Sequence, residues 1–125
     1  MNNVIETARA IQARDYFLLV GHAIPDGDCI GSLLGMHQLL KNLGKQSRMV
    51  LQDPVPRMYH YLAGSAEVMS PAQLHDPEEN VIFLDCADEE RAGRELLSKL
   101  AQRQYTINID HHQSNTRFGE ISRVF

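Results

Sequence analysis

With 125 residues and 43% hydrophobic content, the chain buries one core and has no room for a second domain of ordinary size. Its 12 basic and 16 acidic residues, net charge −4, argue against a surface built to neutralise the many phosphates of long duplex nucleic acid, while a small phosphorylated ligand held by local charge stays open. No charged segment followed by an apolar run stands near Met1 and nothing approaches the ~20 apolar residues of a membrane span, so a cytoplasmic address and no membrane partner are expected.

Val4, Ile5, Ala8 and Ile11 recur at helical spacing and predict a helix near residues 3 to 13. Tyr16 to Val20 is a short apolar run stopped by Gly21, the pattern of a strand buried on both faces of a parallel sheet. Apolar positions from Ile30 to Leu43 predict a second helix ended by Gly44, and Ser47 to Leu51 a second strand. Pro54, Pro56, Gly64, Pro71 and Pro77 predict turns and short helices, with a helical turn near Met58 to Leu62. Val81 to Leu84 reads as a central strand, Glu89 to Arg103 as a helix with Leu96, Leu97 and Leu100 inward, and Tyr105 to Ile109 as a strand ending at Asp110. The alternation implies an α/β fold: a parallel sheet joined by right-handed crossovers, with ligands beyond the carboxyl ends of the strands.

Three polar clusters stand at those ends. His22, Asp26 and Asp28 lie within the turn Gly21 to Ser32, and two carboxylates separated by Gly27 suit two divalent ions about 3.5–4 Å apart that share a water. Mixed carboxylate and imidazole donors favour manganese or a similar ion, and the lack of clustered thiolates argues against structural zinc. The ordinary alternative is that these residues satisfy a turn and cap a helix. Asp85 follows the most hydrophobic strand, where an unpaired charge is costly and an ion neutralises it, a helix cap being the ordinary alternative; Asp88 immediately precedes a helix and reads as its cap. Asp110, His111 and His112 form the third cluster, and adjacent side chains on extended backbone point to opposite sides, so the two histidines divide their roles unless the chain turns. Cys29 and Cys86 adjoin these carboxylates and are expected as free thiols of a reducing compartment.

With all three clusters in order from His22 to Asn115, the sequence resembles the DHH phosphoesterases, named for the triplet that stands here as Asp110-His111-His112. The first motif, His22 to Ser32, is most similar to the branch that degrades very short RNA and dephosphorylates adenosine bisphosphate; manganese pyrophosphatases of the superfamily usually have threonine where this chain has Gly27. The resemblance implies a three-layer, Rossmann-like domain with helices on both faces of the sheet. It implies that His22, Asp26 and Asp85 hold one manganese and Asp28, Asp85 and His111 a second, with magnesium or cobalt as substitutes and Asp85 as the bridge. It makes His112 a substrate-contacting positioning group or general acid and Asp110 the carboxylate that orients a histidine. Arg91 is a weaker phosphate candidate, a solvated helix arginine being the ordinary alternative.

The resemblance also implies a metal-binding aspartate on a later strand and a second, glycine-rich and basic domain. No aspartate follows His112, and Val124-Phe125 reads as an interrupted strand. Residues 1–125 are therefore expected to be an incomplete catalytic domain with little activity alone. The leading expectation is a phosphoesterase acting on short oligoribonucleotides, on 3′,5′-adenosine bisphosphate or on linear products of cyclic dinucleotides. A pyrophosphatase or exopolyphosphatase on the same core and a non-catalytic nucleotide-binding module are the alternatives, and a homodimer is left open.

Overall fold

The computed structural model describes residues 2–75 and 80–125; Pro77, one of the expected turn residues, lies outside them. The first helix, α1 (Val4–Gln12), starts where a capping box allows it: Glu6 N–H donates to Asn3 Oδ1 at 2.8 Å and Asn3 N–H to Glu6 Oε1 at 3.3 Å. It buries Thr7 and Ile11. The strand β1 (Phe17–Val20) follows and is buried throughout, as a two-faced apolar run demands.

Helix α2 (Gly27–Asn42) begins three residues earlier than the apolar periodicity predicted. Asp26 accepts from Cys29 N–H at 3.0 Å, and this cap places Gly27 and Asp28 in the first turn although neither is apolar. Strand β2 (Ser47–Val50) ends one residue short of the expected Leu51. Three 3₁₀ turns, Arg57–Tyr59, Ser65–Glu67 and Pro71–Gln73, occupy the proline-rich middle. Strand β3 (Asn80–Leu84) lies at the centre.

The helix expected from Glu89 to Arg103 is two pieces, a 3₁₀ turn at Glu89–Ala92 and a short helix α3 (Arg94–Lys99). Gly93 separates them at φ 106°, outside the range a helix allows, and a Cβ there would lie 2.5 Å from Gln52 Cγ. Leu96 and Leu100 are fully buried, while Leu97 is only half-buried. Strand β4 (Tyr105–Asp110) carries Asp110 as its last residue, and β5 (Ile121–Val124) begins ahead of the terminal apolar pair, with Phe125 beyond its end and 69% exposed.

Among the described residues these strands form one sheet, β2-β1-β3-β4-β5, parallel at every pairing. The chain winds outward from β1 to β2 through α2, then crosses back and winds the other way from β3 to β4 through α3. Right-handed crossovers in opposite directions put the two helices on opposite faces. One face of the sheet packs Phe17, Leu19 and Ile82 against Ile11 of α1 and Ile30, Leu33 and Leu40 of α2. The other packs Leu18, Val20, Val81 and Phe83 against Leu96 and Leu100. The alternation within β1 and β3 is the period of two that places successive side chains on opposite faces. The result is the expected three-layer α/β arrangement, with a topological switch between β1 and β3.

Candidate metal centre

The reversal of winding opens a crevice at the carboxyl ends of β1 and β3, the place where parallel sheets collect ligands. The turn after β1 starts at Gly21, where a Cβ would lie 2.4 Å from Cys29 Sγ and 2.8 Å from Leu51 Cδ2. Only a glycine lets this backbone pass so close to α2. The next residues are pinned from two sides, because Ala23 N–H donates to the Arg91 carbonyl at 2.7 Å and Ile24 N–H to Asp53 Oδ2 at 2.7 Å.

Asp85 leaves β3 in the left-handed region at φ 61°, a conformation that costs a non-glycine residue about 1–3 kcal/mol, while its N–H donates to the Ile109 carbonyl at 3.1 Å. It is 5% exposed. His22 Nε2 lies 3.2 Å from Asp85 Oδ2 and 3.5 Å from Asp26 Oδ1, and His111 Nε2 lies 2.7 Å from Asp85 Oδ1. One buried carboxylate thus faces imidazoles from two different strand ends, one on each oxygen. Donor atoms of His22, Asp26 and Asp85 fall within 4.8 Å of one another, as do those of Asp85, Asp110, His111 and His112. Asp85 belongs to both groups.

His111 and His112 stand side by side, with ring centroids 4.6 Å apart, because the chain leaves the extended conformation after Asp110. Their partners still differ. His112 Nδ1 lies 2.6 Å from Asp110 Oδ1 and only 4.0 Å from Asp85. The hydrogen-bonded Asp85 carboxylate raises the His111 pKa above its ordinary value against the opposing effect of desolvation, with Asp110 and Asp28 adding to the rise. Burial pushes the Asp110 carboxyl up, but bonds from Asn115, the His111 backbone and His112 outweigh it and hold it below the usual range. The Cys29 N–H does most to lower Asp26.

Asp28 is the expected site residue that the structure leaves apart: it is exposed in the first turn of α2 and belongs to neither group of close donors. Asp88 caps the following turn, accepting from Arg91 N–H at 3.2 Å. Both cysteines are buried free thiols, and burial drives Cys29 to about 12 and Cys86 higher still. A cavity of about 460 Å³ opens over the cluster, walled by His22, Asp26, Asp85, Arg91, His112 and Ser114. Arg91, whose side chain is largely exposed, is one of the residues of that wall, so the weaker phosphate candidate stands beside the site. The contributions of Asp53 and of the Arg91 carbonyl had no signal in the sequence, because each acts on a backbone distant in the chain.

Comparison with known proteins places these features in a family. The model of the DHH family, N-terminal domain, matches residues 16–123. Over 124 residues the chain is 36% identical to the bifunctional oligoribonuclease and PAP phosphatase NrnA of Thermus thermophilus, covering 99% of this chain and 36% of that protein. It is 29% identical over 116 residues to the protein of the same name from Mycoplasma pneumoniae, covering 88% and 34%. The crystal structure of an exopolyphosphatase-related protein from Bacteroides fragilis superposes with a TM-score of 0.83 at 22% identity, covering 98% of this chain and 40% of that one. The chain spans about a third of the length of the curated relatives it matches.

Proposed function

Because the chain belongs to the DHH family, we propose that it carries the metal-binding catalytic wall of a manganese-dependent phosphoesterase that hydrolyses short oligoribonucleotides and 3′,5′-adenosine bisphosphate. The activity proposed is that of a protein of the relatives' length.

The observation that carries this reading is Asp85. Its two oxygens stand 2.7 Å from His111 Nε2 and 3.2 Å from His22 Nε2, and the same His22 nitrogen lies 3.5 Å from Asp26 Oδ1. A buried carboxylate in a strained backbone conformation, shared by two groups of close oxygen and nitrogen donors, fits the divalent cations that such donor sets hold. In this assignment His22, Asp26 and Asp85 would hold one ion, and Asp28, Asp85 and His111 the other. Asp28 sits close enough for its charge to raise the His111 pKa. Asp110 is a supporting group, because one of its oxygens is taken by His112 and the other by Asn115. Three carboxylates against two divalent ions leave one net positive charge to attract an anionic phosphate. Oxygen and nitrogen donors without thiolates favour manganese, with magnesium or cobalt as substitutes.

Two such ions, when bound, supply Lewis-acid activation of a water and neutralise charge growing on the phosphoryl group. The protein orients the rest. His112, turned by Asp110, offers Nε2 toward the cavity, where it contacts the phosphoryl oxygens or protonates the leaving group. Arg91 holds substrate anion on the facing wall.

The test is an assay of the full-length protein with a diribonucleotide, 3′,5′-adenosine bisphosphate and pyrophosphate, each with and without Mn²⁺. Metal-dependent release of mononucleotide or phosphate from the first two is expected. Exclusive turnover of pyrophosphate, or equal rates after exhaustive chelation, would refute the proposal.

A further inference from the structure

Behind His112 lies a buried polar network whose amide groups have so far been given no part in the chemistry. Asn115 is 7% exposed, and its side-chain nitrogen lies 2.7 Å from Asn108 Oδ1, 2.9 Å from Asp110 Oδ2 and 3.2 Å from the Cys86 carbonyl. An amide nitrogen carries two hydrogens, so three acceptors share two donors and every direction of the NH₂ group is claimed. Its other end is also taken, since Arg117 N–H donates to Asn115 Oδ1 at 2.6 Å. Flipping the amide would point its oxygen at three oxygens and forfeit the Arg117 bond, so its orientation is determined chemically. Asn108 is fully buried and donates to the Cys86 carbonyl at 3.2 Å, which ties the same network to the turn that carries Asp85.

Asp110 passes this order on. Its carboxylate is divided, with Oδ2 accepting from Asn115 and Oδ1 lying 2.6 Å from His112 Nδ1. Without the Asn115 bond the carboxylate could rotate about its last torsion, which is broad and two-fold for aspartate.

We propose that Asn115 is a positioning residue for His112: acting through Asp110, its buried amide fixes the His112 ring with Nδ1 toward the carboxylate and Nε2 presented to the cavity and the substrate phosphoryl group. This rests on the phosphoesterase reading. Asn115 touches neither substrate nor ion; its effect reaches the reaction through His112.

A double-mutant cycle in the full-length protein tests it, with a diribonucleotide substrate and saturating Mn²⁺. Asn115→Ala lowers kcat about 10–100-fold, the usual cost of losing a group that orients an active-site side chain, with Mn²⁺ affinity unchanged. In a His112→Ala background the same substitution costs nothing further, because the residue it acts through is gone. An equal loss in both backgrounds, or no loss in either, overturns the proposal. Should Asn115→Ala fail to fold, the unaltered protein still decides the matter. With Mg²⁺ bound, long-range ¹H–¹⁵N correlations at a pH where the ring is neutral are expected to show the His112 hydrogen on Nδ1. A hydrogen on Nε2 instead contradicts the proposal. Absence of any phosphoester hydrolysis would refute the functional reading, and the tautomer would still report on the positioning claim.

Discussion

Asp85 is the residue on which most of the site depends. Replacing it by Asn keeps the volume but removes the charge, and isothermal titration should show Mn²⁺ affinity reduced by at least about 100-fold, beyond the range for supporting groups, with hydrolysis lost in parallel. Asp28→Ala is the sharper probe, because Asp28 stands apart from the close donors. It should weaken one of two binding events and leave the other, and loss of both would place Asp28 elsewhere in the scheme. Arg91→Ala should raise KM about tenfold with kcat little changed, as expected for an exposed charged contact that holds substrate. The sequence made His22, Asp26, Asp85, Asp110, His111 and His112 legible as candidates because they stand in three polar clusters at or just beyond strand ends, where a parallel sheet collects ligands. It did not reveal Asn115, because a lone asparagine after the histidines has the same signature as any turn residue until Asp110 and Cys86 are seen around it.

Elements were legible where apolar periodicity is strong and illegible where a single backbone conformation decides. The buried strands β1 and β3 were evident as unbroken apolar runs. The start of α2 was not, because its first turn is polar and held by the Asp26 cap. The break at Gly93 was missed for a related reason: a glycine within a helical pattern does not announce a φ of 106°. Gly93→Ala should therefore destabilise the fold by about 1–3 kcal/mol, through positive φ and the collision with Gln52, as measured by urea denaturation. Gln52 accepts from Leu96 N–H at 2.9 Å, so the same change should loosen the start of α3 and expose it to faster amide exchange.

Across the whole molecule, a carboxylate ties the chain together at each end of the sheet. At the end away from the metal centre, Asp15 Oδ1 accepts from Gln46 N–H and Tyr16 N–H, each at 2.8 Å, joining the approach to β1 with that to β2. The Gln46 bond and then the Tyr16 bond hold the Asp15 carboxyl below its ordinary 3.8. Fewer protons bind it folded than unfolded, so its contribution is complete above that value and is lost as pH falls through the lowered native pKa. Asp15→Ala should lower Tm at pH 7 and flatten its fall between pH 5 and 3, read by calorimetry in the absence of metal. At the other end, the parallel order β2-β1-β3-β4-β5 brings residues 22, 85 and 111, far apart in the chain, to one carboxylate. The claim that this carboxylate bridges two ions is tested most directly by anomalous scattering at the manganese edge from crystals grown with Mn²⁺. Two peaks about 3.5–4 Å apart, one on each oxygen of Asp85, are predicted. The absence of any peak against Asp85 at saturating Mn²⁺, or peaks that leave both its oxygens unligated, would contradict the account.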